Sequence, residues 1–297
     1  FTGTADFDPG LGTANLTSAG FQDIFISKLD VSGNFIWAKR LGGTSNDYGN
    51  SIVVDGSGNV YTTGRFSATA DFDPAVASVF NLSSAGLLDV FISKLDASGN
   101  LVWAKRLGGT GNDRGNSIVV DGSGNVYTTG SFENTADFNP AVASAFNLTS
   151  AGWGDNFISK LDASGNFLSA IQMGGALDEY GSSIEMDASG NVYIMGDQYS
   201  GTVDYDPAAG VYDLINSGTR ANVVVKYDNN LNFSCALIIT PGNNGTYASH
   251  QLAVAGVNVV YVTGTFDGGA TDFDSCPTNF NLPNNGLDDI YVAKYDM

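Results

Sequence analysis

A unit of about 66 to 68 residues recurs along this chain of 297 residues. The segment GGTSNDYGNSIVVDGSGNVYTTG begins at Gly42, and closely similar segments begin at Gly108 and Gly174. A weaker fourth copy runs from Pro241 to Gly264. A fixed repeat length over a whole chain predicts a repeat architecture, because a short unit cannot bury its apolar face alone and must pack on its neighbours.

Each unit has the pattern of four short strands separated by turns. In the unit 42–107 the strand-like segments, labelled A, B, C and D, are 51–54, 59–66, 89–95 and 100–107. They are rich in β-branched and aromatic residues, Asp-x-Ser-Gly turns separate A from B and C from D, and a long loop joins B to C. Four antiparallel strands in every unit predict an all-β fold, a β-propeller with one four-stranded blade per unit.

Other repeat architectures fit this pattern less well. No segment has the apolar period of about 3.6 residues that a helical solenoid needs. A β-sandwich does not require a fixed unit length. A parallel β-solenoid is the open alternative, but its rungs are usually shorter and do not contain two hairpin turns per unit.

The segment SIVVDGSGNVYTTG, which begins at Ser51, and its copies resemble the bacterial β-propeller repeats called SBBP repeats and, more distantly, NHL-type repeats. The resemblance covers nearly all of the chain and implies a β-propeller fold. It also implies a part of a large secreted or cell-surface bacterial protein, of the kind often exported by the type IX route. No export-signal domain is visible in the sequence.

This interpretation makes residues 1–297 a single β-propeller domain, or a section of one, with about four and a half blades. The full blades are 42–107, 108–173 and 174–240, and partial blades occupy 1–41 and 241–297. Strand C occurs once more often than strands A, B and D, so these strands alone do not make a closed ring of equal blades. We therefore expect a longer array, or a ring completed by sequence outside this chain.

Composition excludes several classes of partner and site. The chain carries 31 acidic and 12 basic side chains, a formal net charge of −19, which opposes binding to nucleic acid or to an anionic membrane. No apolar stretch approaches the ~20 residues that span a bilayer, so membrane insertion is not expected. The only histidine, His250, cannot form a site with several histidine ligands. Cys235 and Cys276 either form a disulfide or are two small apolar side chains that fill space in the core. The sequence starts with Phe1 rather than Met, so we interpret the chain as a mature product or a fragment.

The strand order predicts that the connections lie on two opposite faces. If neighbouring strands are antiparallel, both Asp-x-Ser-Gly turns lie at one end of each sheet, which we call the upper face. The B–C loop and the Gly-Gly-Thr-x-Asn-Asp connection from D to the next A lie at the other end, the lower face. Long loops on a rigid scaffold usually carry recognition, so the lower face is the predicted surface for a protein or glycan partner, or for further repeats or domains of the same polypeptide.

The B–C loop carries a recurring Asp-x-Asp motif. Its acidic and amide residues are Asp6, Asp8, Asp71, Asp73, Asp137, Asn139, Asp204, Asp206, Asp272 and Asp274. In extended backbone, residues i and i+2 point the same way, so each motif presents two oxygen-bearing groups together and directs its aromatic residue to the other side. One interpretation is a calcium site, because this hard cation prefers oxygen ligands. The other is turn chemistry, in which the Asp side chain accepts nearby backbone N–H groups.

Neighbouring residues would add oxygen ligands to such a calcium site. They are Asn46, Asp47, Asn112, Asp113, Asp178 and Glu179.

Outside this motif the recurring features have structural interpretations. The Asp-x-Ser-Gly turns are expected to be hairpins capped by the Asp side chain. The Lys-x-Asp pattern of strand C predicts ion pairs between blades, and Trp37 and Trp103 fit outer-strand packing at least as well as sugar stacking.

No nucleophile with a Ser-His-Asp partner set is recognisable, and acidic pairs repeated in every unit argue against a unique active site. We therefore predict a non-enzymatic secreted or cell-surface module that is structural, adhesive or partner-binding. A calcium-dependent glycan-binding propeller is the alternative. A second alternative is a hydrolase or lyase with a single channel site, for which the irregular fourth unit with His250 is the place to search.

Overall fold

The computed structural model describes residues 1–199, 201–208, 210–216, 220–239, 251–266, 271–273, 281–283, 286 and 289–297. These residues form β-strands and turns and contain no helix, hence none that could cross a membrane. The described residues do not include His250, Asp274, Cys276 or the side chain of Asp272.

The chain divides into two compact units. Unit 1 comprises Phe1–Val126, Thr135–Asn147 and Leu161–Phe167. Unit 2 comprises Tyr127–Asn134, Leu148–Lys160 and Leu168–Met297.

Short strands follow one another through both units. The strands of unit 1 are β1 (Thr4–Asp6), β2 (Asn15–Thr17), β3 (Ile24–Leu29), β4 (Phe35–Gly43), β5 (Tyr48–Val54), β6 (Val60–Phe66), β7 (Thr69–Asp71), β8 (Asn81–Ser83), β9 (Asp89–Leu95), β10 (Leu101–Gly109) and β11 (Arg114–Val120). Two longer strands contribute residues to both units, β12 (Val126–Asp137) and β13 (Asn147–Leu161). The strands of unit 2 are β14 (Phe167–Met173), β15 (Glu179–Met186), β16 (Val192–Gln198), β17 (Thr202–Asp204), β18 (Asp213–Ile215), β19 (Ala221–Tyr227), β20 (Phe233–Ile239), β21 (Gln251–Val254), β22 (Val259–Phe266), β23 (Thr271–Asp272), β24 (Asn281–Leu282) and β25 (Asp289–Asp296).

The predicted strands A to D pair in sequence order. In unit 1, β5 pairs with β6, β6 with β9 and β9 with β10, all antiparallel. In unit 2, β15, β16, β19 and β20 pair in the same way, and so do β21, β22 and β25. The prediction of an all-β fold with antiparallel sheets is confirmed. Because neighbouring strands alternate in direction, the Asp-x-Ser-Gly turns lie at one end of each sheet and the B–C segments at the other.

The predicted B–C loop contains a small hairpin. β7 pairs with β8 in a register that places Thr69 opposite Ser83 and Asp71 opposite Asn81. The hydroxyl oxygens of Thr69 and Ser83 lie 2.8 Å apart and share a hydrogen bond. β1 with β2 and β17 with β18 form equivalent hairpins. Three-residue strands are too short to show a period of two, which is why the sequence predicted only a loop here.

Contact between successive repeats forms the apolar core of unit 1. Ile24 and Ile26 on β3 pack in one buried cluster with Phe66, Phe91 and Leu95 of the next repeat. Strands β6 and β9 are buried along almost their whole length. Because both faces of these strands are buried, exposed and buried residues do not alternate along them, and polar side chains inside the sheet bond to each other, as the hydroxyl groups of Thr62 and Ser93 do at 2.6 Å.

Each Asp-x-Ser-Gly turn is closed by its own aspartate. Asp96 Oδ1 accepts the backbone N–H groups of Ser98 and Asn100 at 2.8 and 2.9 Å, and Oδ2 accepts Asn100 Nδ2 at 2.9 Å. Gly99 has a φ of 80°, a left-handed conformation that glycine adopts without strain. The same bonds occur at Asp30, Asp55, Asp121, Asp162, Asp187 and Asp228. The predicted Asp-capped turn is confirmed, and the Asn100 bonds lower the pKa of Asp96.

Lysine and tryptophan side chains join each repeat to the next C–D turn. The carbonyl oxygen of Ala163 accepts hydrogen bonds from Lys94 Nζ at 3.4 Å and from Trp103 Nε1 at 3.1 Å. The equivalent bonds one repeat earlier involve Lys28, Trp37 and Ala97. Two donors from different strands therefore converge on one turn carbonyl of the following repeat, and the tryptophans have a structural role.

The Lys-x-Asp pattern predicted an ion pair between blades. That prediction was wrong, because the lysine donates to a backbone carbonyl and not to an acidic side chain. Lys28, Lys94 and Lys160 donate to backbone carbonyls of the following repeat. Lys94 Nζ also lies 4.9 Å from the centroid of the Tyr61 ring. The physical reason is that the aspartate of the pattern, Asp96 for example, already has both carboxylate oxygens bonded within its own turn.

Removing one donor of this junction is expected to weaken the fold. Lys94→Met keeps the aliphatic stem and Trp103→Phe keeps a ring, but each leaves the Ala163 carbonyl with one bond fewer. We expect each change to lower the free energy of unfolding by about 1 kcal/mol, the usual net value of such a bond. Urea unfolding measures the loss. Val102→Thr, on the half-exposed neighbouring position, is the control, and equal losses in all three variants would contradict the junction.

Candidate functional site

The lower face of unit 1 consists of hairpins anchored on the Gly-Gly connection between repeats. The end of β4 pairs with β7, so that Gly42 lies opposite Asp71 and Gly43 opposite Ala70. The end of β10 pairs with β12 in the same way. The B–C hairpin and the D–A connection, which the sequence assigned to one face, are therefore hydrogen-bonded to each other.

The first aspartate of each Asp-x-Asp motif closes the loop of its hairpin. Asp71 Oδ1 accepts the backbone N–H groups of Asp73 at 3.0 Å and Phe80 at 2.9 Å. Equivalent bonds are made by Asp6, Asp137 and Asp204. One carboxylate oxygen thus joins the two ends of the loop, as the turn interpretation predicts.

The second position of the motif makes a second, smaller turn. Asp73 Oδ1 accepts the N–H of Ala75 at 3.0 Å, and Oδ2 accepts the hydroxyl of Ser78 at 2.6 Å. Asn139 keeps the backbone bond and donates its Nδ2 to Ser144 Oγ at 2.9 Å. The backbone bond also occurs at Asp8 and Asp206. Asn139 can replace aspartate at the second position of the third motif, because the turn requires one acceptor oxygen and no charge.

The aromatic residue between the two motif positions points into the core. Phe72 is buried, and its ring centroid lies 5.0 Å from that of Phe91 and 5.4 Å from that of Phe66. The equivalent Phe138 and Tyr205 are buried as well. The predicted alternation is therefore present, with acids in the loop and the aromatic ring in the sheet packing. The hairpins that carry Phe72, Phe138 and Tyr205 are fixed to the core by this ring.

The described Asp-x-Asp carboxylates bond within the loops of their own hairpins. Among the described residues, no group of three or more His, Cys, Asp or Glu side chains is placed to hold a metal ion. The fifth copy of the motif cannot be compared, because Asp274 and the side chain of Asp272 lie outside the described residues.

A pair of buried carboxyl groups recurs beside the Gly-Gly connection, and the sequence reasoning missed it. In the second repeat, Asp89 Oδ2 accepts Arg106 Nη1 at 2.7 Å and Asp113 Oδ2 accepts the N–H of Gly109 at 2.6 Å. The other pairs are Asp23 with Asp47 and Asp155 with Glu179. Oδ1 of Asp23, Asp89 and Asp155 is buried and accepts no hydrogen bond within the described structure. The available signal was an acid at the start of strand C that recurs with the repeat, as Asp23, Asp89 and Asp155 do.

The first glycine of the connection is required by these carboxyl groups. Gly108 has a φ of 143°, and a Cβ there would lie 2.7 Å from Asp113 Oδ2 and 2.9 Å from Asp89 Cγ. Any side chain would collide with both acids. The Gly-Gly sequence therefore serves the buried acidic pair as well as the close approach of the next strand.

The third carboxyl pair lacks the arginine of the first two. Arg40 and Arg106 bond Asp23 and Asp89, but Gln172 occupies the equivalent position and its Nε2 lies 3.3 Å from Asp155 Oδ2. Burial raises the pKa of Asp155 to about 6, and the nearby charge of Glu179 adds to the increase. Burial also raises the pKa of Asp89, but Arg106 opposes that effect.

The hairpin tips carry exposed apolar side chains. Leu11, Val76 and Val142 are fully exposed at equivalent places in successive loops, and Val211 is largely exposed in the next. An isolated exposed apolar residue needs no explanation, but one at the same place in three successive hairpins, as Leu11, Val76 and Val142 are, forms a repeated contact surface. These tips, carried on anchored hairpins, are the candidate binding surface.

Family comparison agrees with the repeat pattern. The model of the SBBP β-propeller repeat matches residues 36–65 and 102–131. The resemblance to SBBP repeats that the sequence predicted is confirmed at these two places in the chain.

Two other proteins are similar in sequence. An uncharacterized WD repeat-containing protein, L264 of Acanthamoeba polyphaga mimivirus, is 34% identical over 129 residues, which are 41% of this chain and 9% of that protein. The regulatory protein FlaEY of Caulobacter vibrioides is 26% identical over 256 residues, 85% of this chain and 23% of that protein. The chain thus spans less than a quarter of either relative. A solved structure of a protein of unknown function from Bacteroides caccae covers 83% of this chain and 80% of its own, with 12% identity and a TM-score of 0.36.

Calcium binding by the Asp-x-Asp motifs stays a prediction with a direct test. A calcium site at Asp71 and Asp73 predicts that added calcium raises the Tm and that EDTA lowers it, because an ion bound only to the folded state stabilises it. Asp71→Asn keeps the acceptor oxygen of the turn but removes charge, so it should reduce the calcium response while the fold persists. A Tm that is the same in EDTA and in calcium would contradict the calcium site.

The third carboxyl pair predicts a pH-dependent stability. The folded protein keeps a proton on Asp155 up to a pKa of about 6, whereas the reference carboxyl loses it near 3.8. The folded state therefore binds more protons in this window, and the free energy of unfolding should fall as the pH rises from about 4 to about 6 and then level off. Gln172→Arg should reduce that fall and stabilise the protein at pH 7 by on the order of 1 kcal/mol.

The second repeat supplies the matched control. Arg106→Gln gives Asp89 the glutamine neighbour that Asp155 has in the third pair. It should lower the free energy of unfolding at pH 7, whereas Gln172→Arg should raise it. Chemical unfolding at a series of pH values measures both variants. If the two changes shift stability in the same direction, the arginine does not act through the buried carboxyl pair.

Proposed function

We propose that this chain is a non-enzymatic β-propeller module that binds a protein partner through its lower-face hairpins. Each set of strands A to D is one four-stranded blade, with about four and a half blades in the chain. The module is part of a larger secreted or cell-surface bacterial protein, as the SBBP resemblance implies, and its binding is adhesive or regulatory.

The observation that carries this proposal is the repeated apolar tip. Leu11, Val76 and Val142 stand fully in water at equivalent places, on loops closed by Asp6, Asp71 and Asp137. A closed loop loses little conformational freedom on binding, so its exposed tip is preorganised for contact. Successive tips also allow several weak contacts to act together.

The charge of the chain suggests the chemistry of the partner. The chain has a net charge of −19, and the Asp-x-Asp carboxylates lie in the same loops as the apolar tips. A partner that offers apolar side chains within a basic surface would be attracted and oriented by this field.

A non-catalytic role is supported by the repetition of the acidic groups. Every described Asp-x-Asp carboxylate is engaged in a loop turn, and the buried carboxyl pairs occur in successive repeats rather than once. Catalytic sites are usually unique constellations in a cleft. The names of the two relatives, a WD repeat-containing protein and a regulatory protein, are compatible with an interaction module.

Peptide selection tests the proposed surface. Peptides are selected from a phage-displayed library on the immobilised chain, and labelled copies are titrated by fluorescence polarisation. We expect apolar and basic sequences, and we expect the triple variant Leu11→Ser, Val76→Ser, Val142→Ser to bind them about tenfold more weakly, as loss of central apolar contacts does.

The matched control changes one half-exposed apolar residue per repeat on strand D. It combines Ile36→Ser, Val102→Ser and Leu168→Ser, which lie on strand D and not in the hairpin loops. The control should bind the peptides as the unchanged chain does. Equal weakening in both triple variants would contradict the hairpin surface, and calcium-dependent binding to a glycan array that EDTA abolishes would favour the glycan-binding alternative.

A further inference from the structure

Two of the hairpin loops place an aromatic side chain on strand D of their own repeat. In the repeat 174–240, the ring centroid of Tyr212 lies 4.7 Å from that of Phe233 on β20. The hydroxyl of Tyr212 donates a hydrogen bond of 3.3 Å to the carbonyl oxygen of Ala236 on the same strand. In the repeat 108–173, Phe146 lies on Phe167 in the same way, with ring centroids 4.8 Å apart. A loop aromatic residue therefore covers the beginning of strand D in both repeats.

The hairpin of the first repeat has alanine at this place. Ala14 corresponds to Tyr212, and its backbone makes the same two bonds. The N–H of each residue donates at 2.8 Å to the first aspartate of its own motif, Asp6 or Asp204. The carbonyl oxygen of each accepts the N–H of the aromatic motif residue at 3.1 Å. The two loops thus have the same length and the same closure, and they differ in the side chain at this position.

Strand D of the first repeat keeps the other half of the aromatic contact. Phe35 on β4 corresponds to Phe233, and Ala38 on the same strand corresponds to Ala236. Ala14 carries neither a ring nor a hydroxyl, so the loop of the first repeat cannot make these contacts itself. A ring and a carbonyl oxygen, in the arrangement that accepts a tyrosine elsewhere in the chain, are therefore left to another molecule.

A groove with a volume of about 430 Å³ adjoins this place. Leu16 of the first hairpin lines one side, Pro74 and Val76 of the next loop line the other, and Ala38 and Arg40 of β4 lie between them. All of these residues belong to unit 1, so two described repeats form the groove. Val76 is also one of the exposed tips of the proposed binding surface. A partner segment in contact with that tip would lie within reach of the Ala38 carbonyl.

We infer that this groove takes a tyrosine side chain of the protein partner, in the place that Tyr212 holds in its own repeat. The ring lies on Phe35, and the phenol hydroxyl donates to the Ala38 carbonyl. A tilted pair of rings at this spacing is favourable beyond the apolar area that it buries. The inference rests on the proposed function, because it names one side chain that the partner contributes to the hairpin surface.

A small probe tests the tyrosine site without the rest of a partner. N-acetyl-tyrosinamide is titrated onto the full 297-residue chain and followed by saturation-transfer NMR. We expect a Kd of roughly 1 mM, which is usual for a ligand of this size. N-acetyl-phenylalaninamide keeps the ring but lacks the hydroxyl, so it should bind about fivefold more weakly. N-acetyl-leucinamide has no ring and should show no saturable binding.

Filling the site from within the chain supplies the matched variants. Ala14→Tyr should weaken binding of the probe at least about tenfold, because its own ring occupies Phe35. Adding Tyr212→Ala to that variant uncovers Phe233 and Ala236 and should restore binding. Val31→Tyr adds the same side chain on a fully exposed turn of the upper face and should bind the probe as the unchanged chain does.

Circular dichroism and Tm confirm that each variant is folded. If Ala14→Tyr does not fold, Phe35→Leu replaces it, since leucine is the natural residue at the same place in the next repeat, Leu101, and has no ring. Equal binding by the unchanged chain and the site variant, or no binding by the unchanged chain at about ten times the expected Kd, would overturn the tyrosine site. The hairpin surface is judged separately, by the selected peptides and the triple serine variant, so the two failures are distinguishable.

Discussion

The contact between the isoleucine side of one strand C and the aromatic side of the next repeat is the interaction on which the other features depend. A sheet of four short strands has two apolar faces and cannot bury both by itself. Stacking of repeats buries Ile24 and Ile26 against Phe91 and Leu95 and holds β6 and β9 in a core that is apolar on both sides. The turns, hairpins and connections then occupy the two ends of these sheets, where they reach water.

Aspartate has three separate structural uses at those ends, and together they explain how the fold accommodates a charge of −19. At the upper face Asp96 and its equivalents close hairpin turns. At the lower face Asp71 and its equivalents close the loops of the B–C hairpins. Beside the Gly-Gly connection, Asp89 and Asp113 are buried, where Arg106 and backbone N–H groups offset part of the cost of desolvation. The hydrogen bonds from Asn100 lower the pKa of Asp96, whereas burial raises the pKa of Asp89.

Regular local patterns were predictable, and contacts between repeats were not. The Asp-capped turns, the alternation around Phe72 and the antiparallel strand order follow from local periodicity and turn chemistry, which involve residues close together in the chain. The acceptor of Lys94 was mispredicted because Ala163 lies one repeat away, and nothing in the sequence shows that a carbonyl there faces the lysine. The buried pair of Asp89 and Asp113 was missed for the same reason, since its members meet only after β9 and the Gly-Gly connection pack together.

The repeat, the all-β fold and the two faces follow from the amino-acid sequence alone, because a period that recurs in near-identical copies imposes one strand pattern on every unit. Which side chains of each copy are buried depends on tertiary packing. β3 and β9 have the same FISKL sequence, yet Phe25 is exposed and Phe91 is buried. The tertiary structure likewise showed that the long B–C segment is an anchored hairpin and that Gln172 leaves one carboxyl pair without its arginine. The burial and the hydrogen-bond partners of a residue depend on what packs against it. Two repeats with the same sequence can differ in their neighbours, so the repeat sequence alone does not predict these properties.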